Sequence, residues 1–139
     1  MIKVRTAAAI LLLSLLLSLL LSLTACGGGE AKMIVGTWKP TATTETELLG
    51  SISRSTWTFN ADGTYKEASE MIFNGTVYKE TKTGKYELNT KDHIIILKPD
   101  DGWHDDTFGD QEIWYEYTLA SNYLTFKTGL GTERYDKVS

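Results

Sequence analysis

From Gly36 onward the chain alternates between apolar and polar side chains. Trp57 and Phe59 fall on one side of an extended segment, Thr56 and Thr58 on the other. Tyr86 and Leu88 oppose Lys85 and Glu87. Tyr115, Tyr117 and Leu119 oppose Trp114, Glu116 and Thr118, and Leu124 and Phe126 oppose Thr125 and Lys127. A period of two sends successive side chains to opposite faces of a strand, one dry and one wet. The pattern predicts strands over Gly36–Thr41, Arg54–Phe59, Thr64–Ser69, Thr76–Thr81, Gly84–Asn89, His93–Lys98, Glu112–Leu119, Tyr123–Thr128 and Thr132–Lys137. Before them, Glu30–Val35 suits one or two helical turns. No amphipathic helix of useful length follows.

The residues between these segments are turn formers. Asn60-Ala61-Asp62-Gly63 suits a type I turn closed by a left-handed glycine. Asn74-Gly75 is the strongest hairpin signal in the chain, and Thr83-Gly84 and Gly129-Leu130-Gly131 mark two more turns. Short connections favour antiparallel neighbours in chain order; Ala42–Ser53 and Pro99–Gln111 are the long exceptions. Eight or nine such strands with almost no helix make a sandwich or a closed barrel. The meander favours an all-β, antiparallel up-and-down barrel of about eight strands, because closure removes both sheet edges. Isolated Lys and Glu on strand faces fit its wet exterior.

The N-terminus follows another pattern. Lys3 and Arg5 precede an apolar run from Ala7 to Leu23, broken only by serines, and Leu23-Thr24-Ala25-Cys26 ends it. Positive, apolar, then small is the anatomy of a secretory signal. The last four residues resemble the lipobox of bacterial lipoproteins. That resemblance implies cleavage before Cys26 and a diacylglyceryl group on its thiol. The alternatives are a retained span, since Ala7–Cys26 matches the roughly 20 residues a bilayer needs, and an unmodified thiol. A lone Cys in an oxidising compartment has no internal partner, and lipidation resolves that. Each buried CH₂ contributes about 0.8 kcal/mol, and stable anchoring takes two chains, which the diacylglyceryl group supplies. The expected layout is a signal over 1–25, a lipidated Cys and Gly-rich tether over 26–31, and a barrel over 32–139. The expected place is the bacterial cell envelope, outside the cytoplasm. Gly27 follows the Cys, where an Asp would mark inner-membrane retention, so outer membrane and Gram-positive surface both stay open.

Loss of Lys3 and Arg5 leaves 12 Lys and Arg against 18 Asp and Glu, a net charge of −6. Such a chain is a poor nucleic-acid binder and suits cationic partners. With no cysteine left to form bridges, the core must hold the fold. All 15 aromatic residues follow the signal and can supply it.

Ile34-Val35-Gly36-Thr37-Trp38 resembles the opening of lipocalin-like domains, where Gly-x-Trp begins the first strand. Trp57 to Tyr65, Gly84 to Leu88 and Tyr117 to Phe126 continue the resemblance, which covers about Ile34 to Tyr135. It implies that Trp38 closes the barrel floor under an Arg near the last strand, with Arg134 the natural candidate and Arg54 the alternative. It also implies a cup for a small apolar ligand, with Trp57, Phe59, Tyr65, Tyr86, Tyr115, Tyr117 and Phe126 as candidate lining. The same aromatics are numerous enough to fill so small a barrel, so a cavity and a packed interior both stay open.

Catalytic signals are sparse. His93 and His104 are the only imidazoles, and there is no nucleophile elbow, phosphate loop or His-rich metal spacing. No cofactor is implied, with calcium as the one exception to weigh. Pro99–Glu112 gathers Asp100, Asp101, Asp105, Asp106 and Asp110 in one loop. Calcium takes six to eight oxygens from loops of this kind, but the spacing is not that of an EF-hand. A solvated acidic loop is the plainer reading. Trp103 and Phe108 in that loop either fold back over the core, the plainer expectation, or stand out as a partner's anchor. The function expected is therefore non-enzymatic. It is a membrane-tethered module binding a small apolar or amphipathic ligand, or alternatively a packed barrel contacting a cationic protein partner.

Overall fold

The structure is a computed structural model that describes residues 28–41, 44–46 and 51–139. The expected signal, Cys26 and Gly27 lie outside them, as does part of the Ala42–Ser53 connection. Helix α1 (Gly28–Met33) comes first. The strands are β1 (Gly36–Pro40), β2 (Thr44–Thr46), β3 (Ser51–Phe59), β4 (Thr64–Phe73), β5 (Thr76–Asn89), β6 (Ile94–Pro99), β7 (His104–Asp105), β8 (Gly109–Asp110), β9 (Ile113–Leu119), β10 (Tyr123–Thr128) and β11 (Gly131–Lys137). No described helix is long and apolar enough to cross a membrane.

β1, β3, β4, β5, β6, β9, β10 and β11 close into a ring of antiparallel neighbours, because β1 pairs with both β11 and β3. This is the eight-stranded all-β barrel that the alternation predicts. β2 pairs with the first part of β3, and β7 and β8 form a separate small hairpin inside the acidic loop.

Turn chemistry sets the register. Asn74 and Gly75 have φ of 49° and 77°, so both central residues of the β4–β5 turn are left-handed, as the twist of a two-residue hairpin demands. Gly63 has φ of 84°, and the Asp62 carboxylate accepts the Thr64 N–H at 2.9 Å, closing the β3–β4 turn.

One expected turn is absent. Thr83-Gly84 runs straight through β5, so the two segments predicted there are a single strand of 14 residues. Gly84 lies between Tyr65 of β4 and Pro99 of β6. A Cβ on it would stand 2.2 Å from the Lys98 carbonyl oxygen and 2.8 Å from the Tyr65 ring. The glycine serves close approach of neighbours inside a strand, not a reversal. Beyond it, the β4–β5 ribbon rises out of the ring and leaves Met71, Val77 and Tyr78 exposed.

The interior is dense toward the base, the end that carries α1 and the Asn60–Gly63 turn. Ile34, Trp38, Phe59, Ile95, Leu97, Leu124 and Phe126 are all but fully buried there and above it. An eight-stranded barrel is just wide enough for side chains to fill. The C-terminal residues close the same end, with the Thr37 N–H donating to the Ser139 carbonyl at 2.9 Å. The opposite end is the mouth. It bears the Gly129-Leu130 turn, the loop that follows β6 and the end of β1.

Candidate functional site

Parity along β11 decides the floor. Tyr135 is buried, so Glu133 and Lys137 share its inward side, while Arg134 is exposed on the outer one. Lys137 places its ammonium 5.2 Å from the Trp38 ring centroid and donates to the Met33 carbonyl at 2.9 Å. The Trp38 indole N–H donates to the Ile34 carbonyl at 2.8 Å. The cation over Trp38 is therefore Lys137, and the expected Trp38–Arg134 pair does not form. Arg134 stacks outside, 4.6 Å from the Tyr123 ring centroid, with Asp136 at 3.7 Å. Arg54, the alternative, is also an outward residue, opposite Glu70 on β4.

Six of the seven candidate lining residues meet in one aromatic cluster. Trp57 lies parallel to Phe59 at 6.0 Å, edge-on to Phe126 at 5.5 Å and 6.0 Å from Tyr65. Tyr115 stacks on Phe126 at 5.4 Å, and Tyr86 meets Phe59 at 5.0 Å. These rings fill one another's space in the lower and middle barrel. Tyr117 stands apart: its hydroxyl donates to the Glu30 carboxylate of α1, and its ring touches His93. It fastens the helix to the base.

Above the cluster, space opens. A cleft of about 400 Å³ lies at the mouth between Pro40 and Thr41, Ser53 to Ser55 of β3, and Thr128 to Tyr135 around the β10–β11 turn. Two carboxylates face inward near it, of which Glu133 lines the cleft together with Arg54 and Arg134. Glu133 accepts the Tyr135 hydroxyl at 2.5 Å, and Glu67 accepts the Ser55 hydroxyl at 2.7 Å. Neither has a cation within 4 Å among the described residues. Lys82, opposite Glu67 in register, turns to Glu80 at 3.7 Å.

The phenols around these carboxylates are held protonated. Burial, reinforced by Glu67, Asp101 and Asp100, pushes Tyr65 up to about 12. Burial and then Glu67 and Glu133 raise Tyr115. Burial and the bond to Glu133 raise Tyr135. They therefore act as neutral hydrogen-bond donors and ring walls. The indole N–H of Trp57 is buried beside the Tyr135 hydroxyl without a well-formed hydrogen bond to any acceptor among the described residues. The sequence does not single out Glu67 or Glu133, because isolated acids on strands suit a wet exterior. Parity with Tyr65 and Tyr135 was the signal that would have placed both acids inside.

The acidic loop does not gather a metal site. Asp100 accepts the Thr83 hydroxyl at 2.8 Å. Asp105 accepts the N–H groups of Thr107 and Phe108 at 2.7 and 2.9 Å. Asp110 lies 2.6 Å from one ring nitrogen of His104, and Asp106 lies 3.5 Å from the other. No three His, Cys, Asp or Glu among the described residues converge on a metal position, Asp101 included. Asp105, Asp106 and Asp110 are engaged within the β7–β8 hairpin, and Asp100 is held to β5. Trp103 and Phe108 do not fold back over the core either: they are 57% and 83% exposed. The hairpin carries them away from the ring.

A closed eight-stranded barrel with a Gly-x-Trp first strand, a cation-capped floor and one open end defines a small barrel of the ligand-binding type. The lipocalin-like domain family matches residues 34–126, most of the chain, from just before β1 into β10. The chain belongs to that family. No curated protein sequence matches it.

Proposed function

We propose that the protein is a non-enzymatic binding protein of the bacterial cell envelope, tethered by lipid on Cys26, whose ligand is a small amphipathic molecule seated at the barrel mouth. The observation that carries the ligand reading is the division of the interior. The base is packed with rings, and a cleft of about 400 Å³ stays open above them. That volume lies within the range of small-molecule pockets. The tether reading is supported by the apolar run that ends in Leu23-Thr24-Ala25-Cys26.

Native mass spectrometry of the protein purified from producing cells tests the ligand. A discrete extra mass that is lost on unfolding supports the reading, and a bare mass in every preparation overturns it. Labelled fatty acid incorporated by the chain and lost in Cys26→Ser tests the tether. A second reading, contact with a cationic protein partner, is favoured by the exposure of Trp103 and Phe108 on an acidic hairpin. It becomes the stronger one if the mass is bare.

A further inference from the structure

The two halves of β5 have different neighbours. From Gly84 to Asn89 the strand lies between β4 and β6, whereas Thr76 to Lys82 pairs with β4 alone. N–H and C=O groups alternate in direction along a strand, so this edge can be read residue by residue. The Tyr86 N–H points toward the β4 side, donating to the Gly63 carbonyl at 2.8 Å. The Thr83 carbonyl points the other way and accepts the Asp100 N–H at 2.9 Å. Val77, Lys79 and Thr81 share the parity of Thr83. Their backbone groups therefore point away from β4, and none of them is hydrogen-bonded on that side among the described residues. An open edge of this kind is a template for a further strand.

The side chains of the ribbon are an independent observation. Met71 and Tyr78 stand opposite each other on the face that continues the barrel interior, and Ile72 and Val77 do so on the other face. Met71, Val77 and Tyr78 are exposed. Lysines usually blunt an edge by keeping it in water. Here they are engaged on the ribbon itself: Lys79 reaches Glu70 at 2.9 Å, and Lys82 reaches Glu80 at 3.7 Å. The edge thus combines unpaired backbone with apolar side chains beside it.

We propose that this edge takes the same edge of a second copy of the chain, antiparallel, with Tyr78 opposite Tyr78 of the second copy. A twofold axis perpendicular to the sheet keeps like faces together, so the register must centre on a residue. Centring on Lys79 or on Glu80 sets like charges against each other. Centring on Glu80 also puts Thr76 of the second copy opposite Gly84, where Pro99 of β6 already lies. Centring on Val77 shortens the overlap. Centring on Tyr78 places Val77 opposite Lys79 and Thr76 opposite Glu80, with no like charges opposed. Val77 and Lys79 of the two copies then exchange both backbone bonds, and the Lys79 stem covers Val77. The two tyrosines form the closer, non-hydrogen-bonded kind of pair, and an apolar row runs from Met71 across both of them to Met71 of the second copy. Asn74 of the second copy falls opposite Lys82, so its turn ends short of the Asp100–Thr83 bond. The ribbons lie side by side and the two bases point away from each other.

Sedimentation of the full chain in mild detergent, over a range of concentrations, tests it. A concentration-dependent dimer is expected. Lys79→Pro removes an edge N–H that β4 does not use, so the barrel should stand. Its dimer dissociation constant should rise about tenfold or more, through the backbone bonds lost on both sides of the axis. Lys79→Thr keeps the N–H and should keep the dimer. On oxidation, Tyr78→Cys should link two copies at position 78, and peptide mapping separates that link from any through Cys26. Glu80→Cys should give no link at position 80. A chain that stays monomeric up to millimolar concentration, a dimer indifferent to Lys79→Pro, or a link through position 80 in place of 78 overturns the proposal. So does a monomer that takes up an extended foreign peptide along β5, which would give the edge a different occupant. If Lys79→Pro fails to fold, the mapped links decide.

Discussion

Lys137 and Trp38 face each other across the β1–β11 ladder, and the ammonium sits 5.2 Å from the centre of the indole. The same ammonium bonds the last carbonyl of α1, at Met33. One side chain thus joins the first strand, the last strand and the helix. Replacing Lys137 by Met should cost about 1–2 kcal/mol, combining a partly buried cation–π contact with a charge-assisted hydrogen bond. Arg134→Ala, on the outer face, should fall within about 0.5 kcal/mol of the parent. Urea denaturation of the two variants gives the comparison, and equal losses would restore Arg134 to the floor.

Gly84→Ala should be among the most damaging small substitutions in the barrel. The added methyl would meet the Lys98 carbonyl at 2.2 Å, and backbone cannot step aside as a side chain can. A cost of about 2 kcal/mol or more is expected, as for overpacked cores. Gly129→Ala, with nothing within 4 Å of the new Cβ, is the matched control. Thermal unfolding that fails to separate the two would return Gly84 to the role of a turn residue.

That glycine also shows where a sequence stops being readable. Asn74-Gly75 was legible as a hairpin because left-handed φ at two consecutive residues suits few other pairs. Thr83-Gly84 was not, since a glycine inside a strand and a glycine at a turn look alike until the neighbouring strand is known. The barrel itself was legible from alternation alone. The floor cation was half legible: its presence followed from the family resemblance, but its identity needed the parity of β11, which Tyr135 sets. The mouth was least legible. Glu67 and Glu133 lie two positions from buried tyrosines, and the habit of placing acids in water hid them.

Alkaline pH should weaken the fold in a defined window. Tyr65 is raised from 10.0 to about 12, chiefly by burial. A phenol whose pKa is higher in the folded state than in the unfolded one holds its proton longer when folded. Its stabilising effect is therefore complete below about pH 10 and is lost as pH climbs toward about 12. Tyr115 and Tyr135, raised by burial in the same way, add to the loss. Stability measured against pH should fall across that window, and Tyr65→Phe should flatten the slope. An unchanged slope would place the Tyr65 hydroxyl in water.

Calcium should not stabilise the barrel. Asp105 is bonded to N–H groups of the β7–β8 hairpin, Asp110 to His104 and Asp100 to Thr83, so the loop's carboxylates are spread apart. A melting temperature that is the same in millimolar calcium and in chelator is expected. A rise in calcium that Asp105→Asn and Asp110→Asn abolish would show that the loop rearranges around the ion.

The closed end holds both the entry and the exit of the folded chain. Helix α1 arrives there, fastened by Glu30 to Tyr117 and by Met33 to Lys137, and Val138 and Ser139 finish against Thr37. Any cargo spliced to either extremity, whether fluorescent tag, affinity handle or acyl chain, departs from underneath. The opening on the far side stays unobstructed, so labelled versions can serve in uptake assays without shielding what they are meant to report.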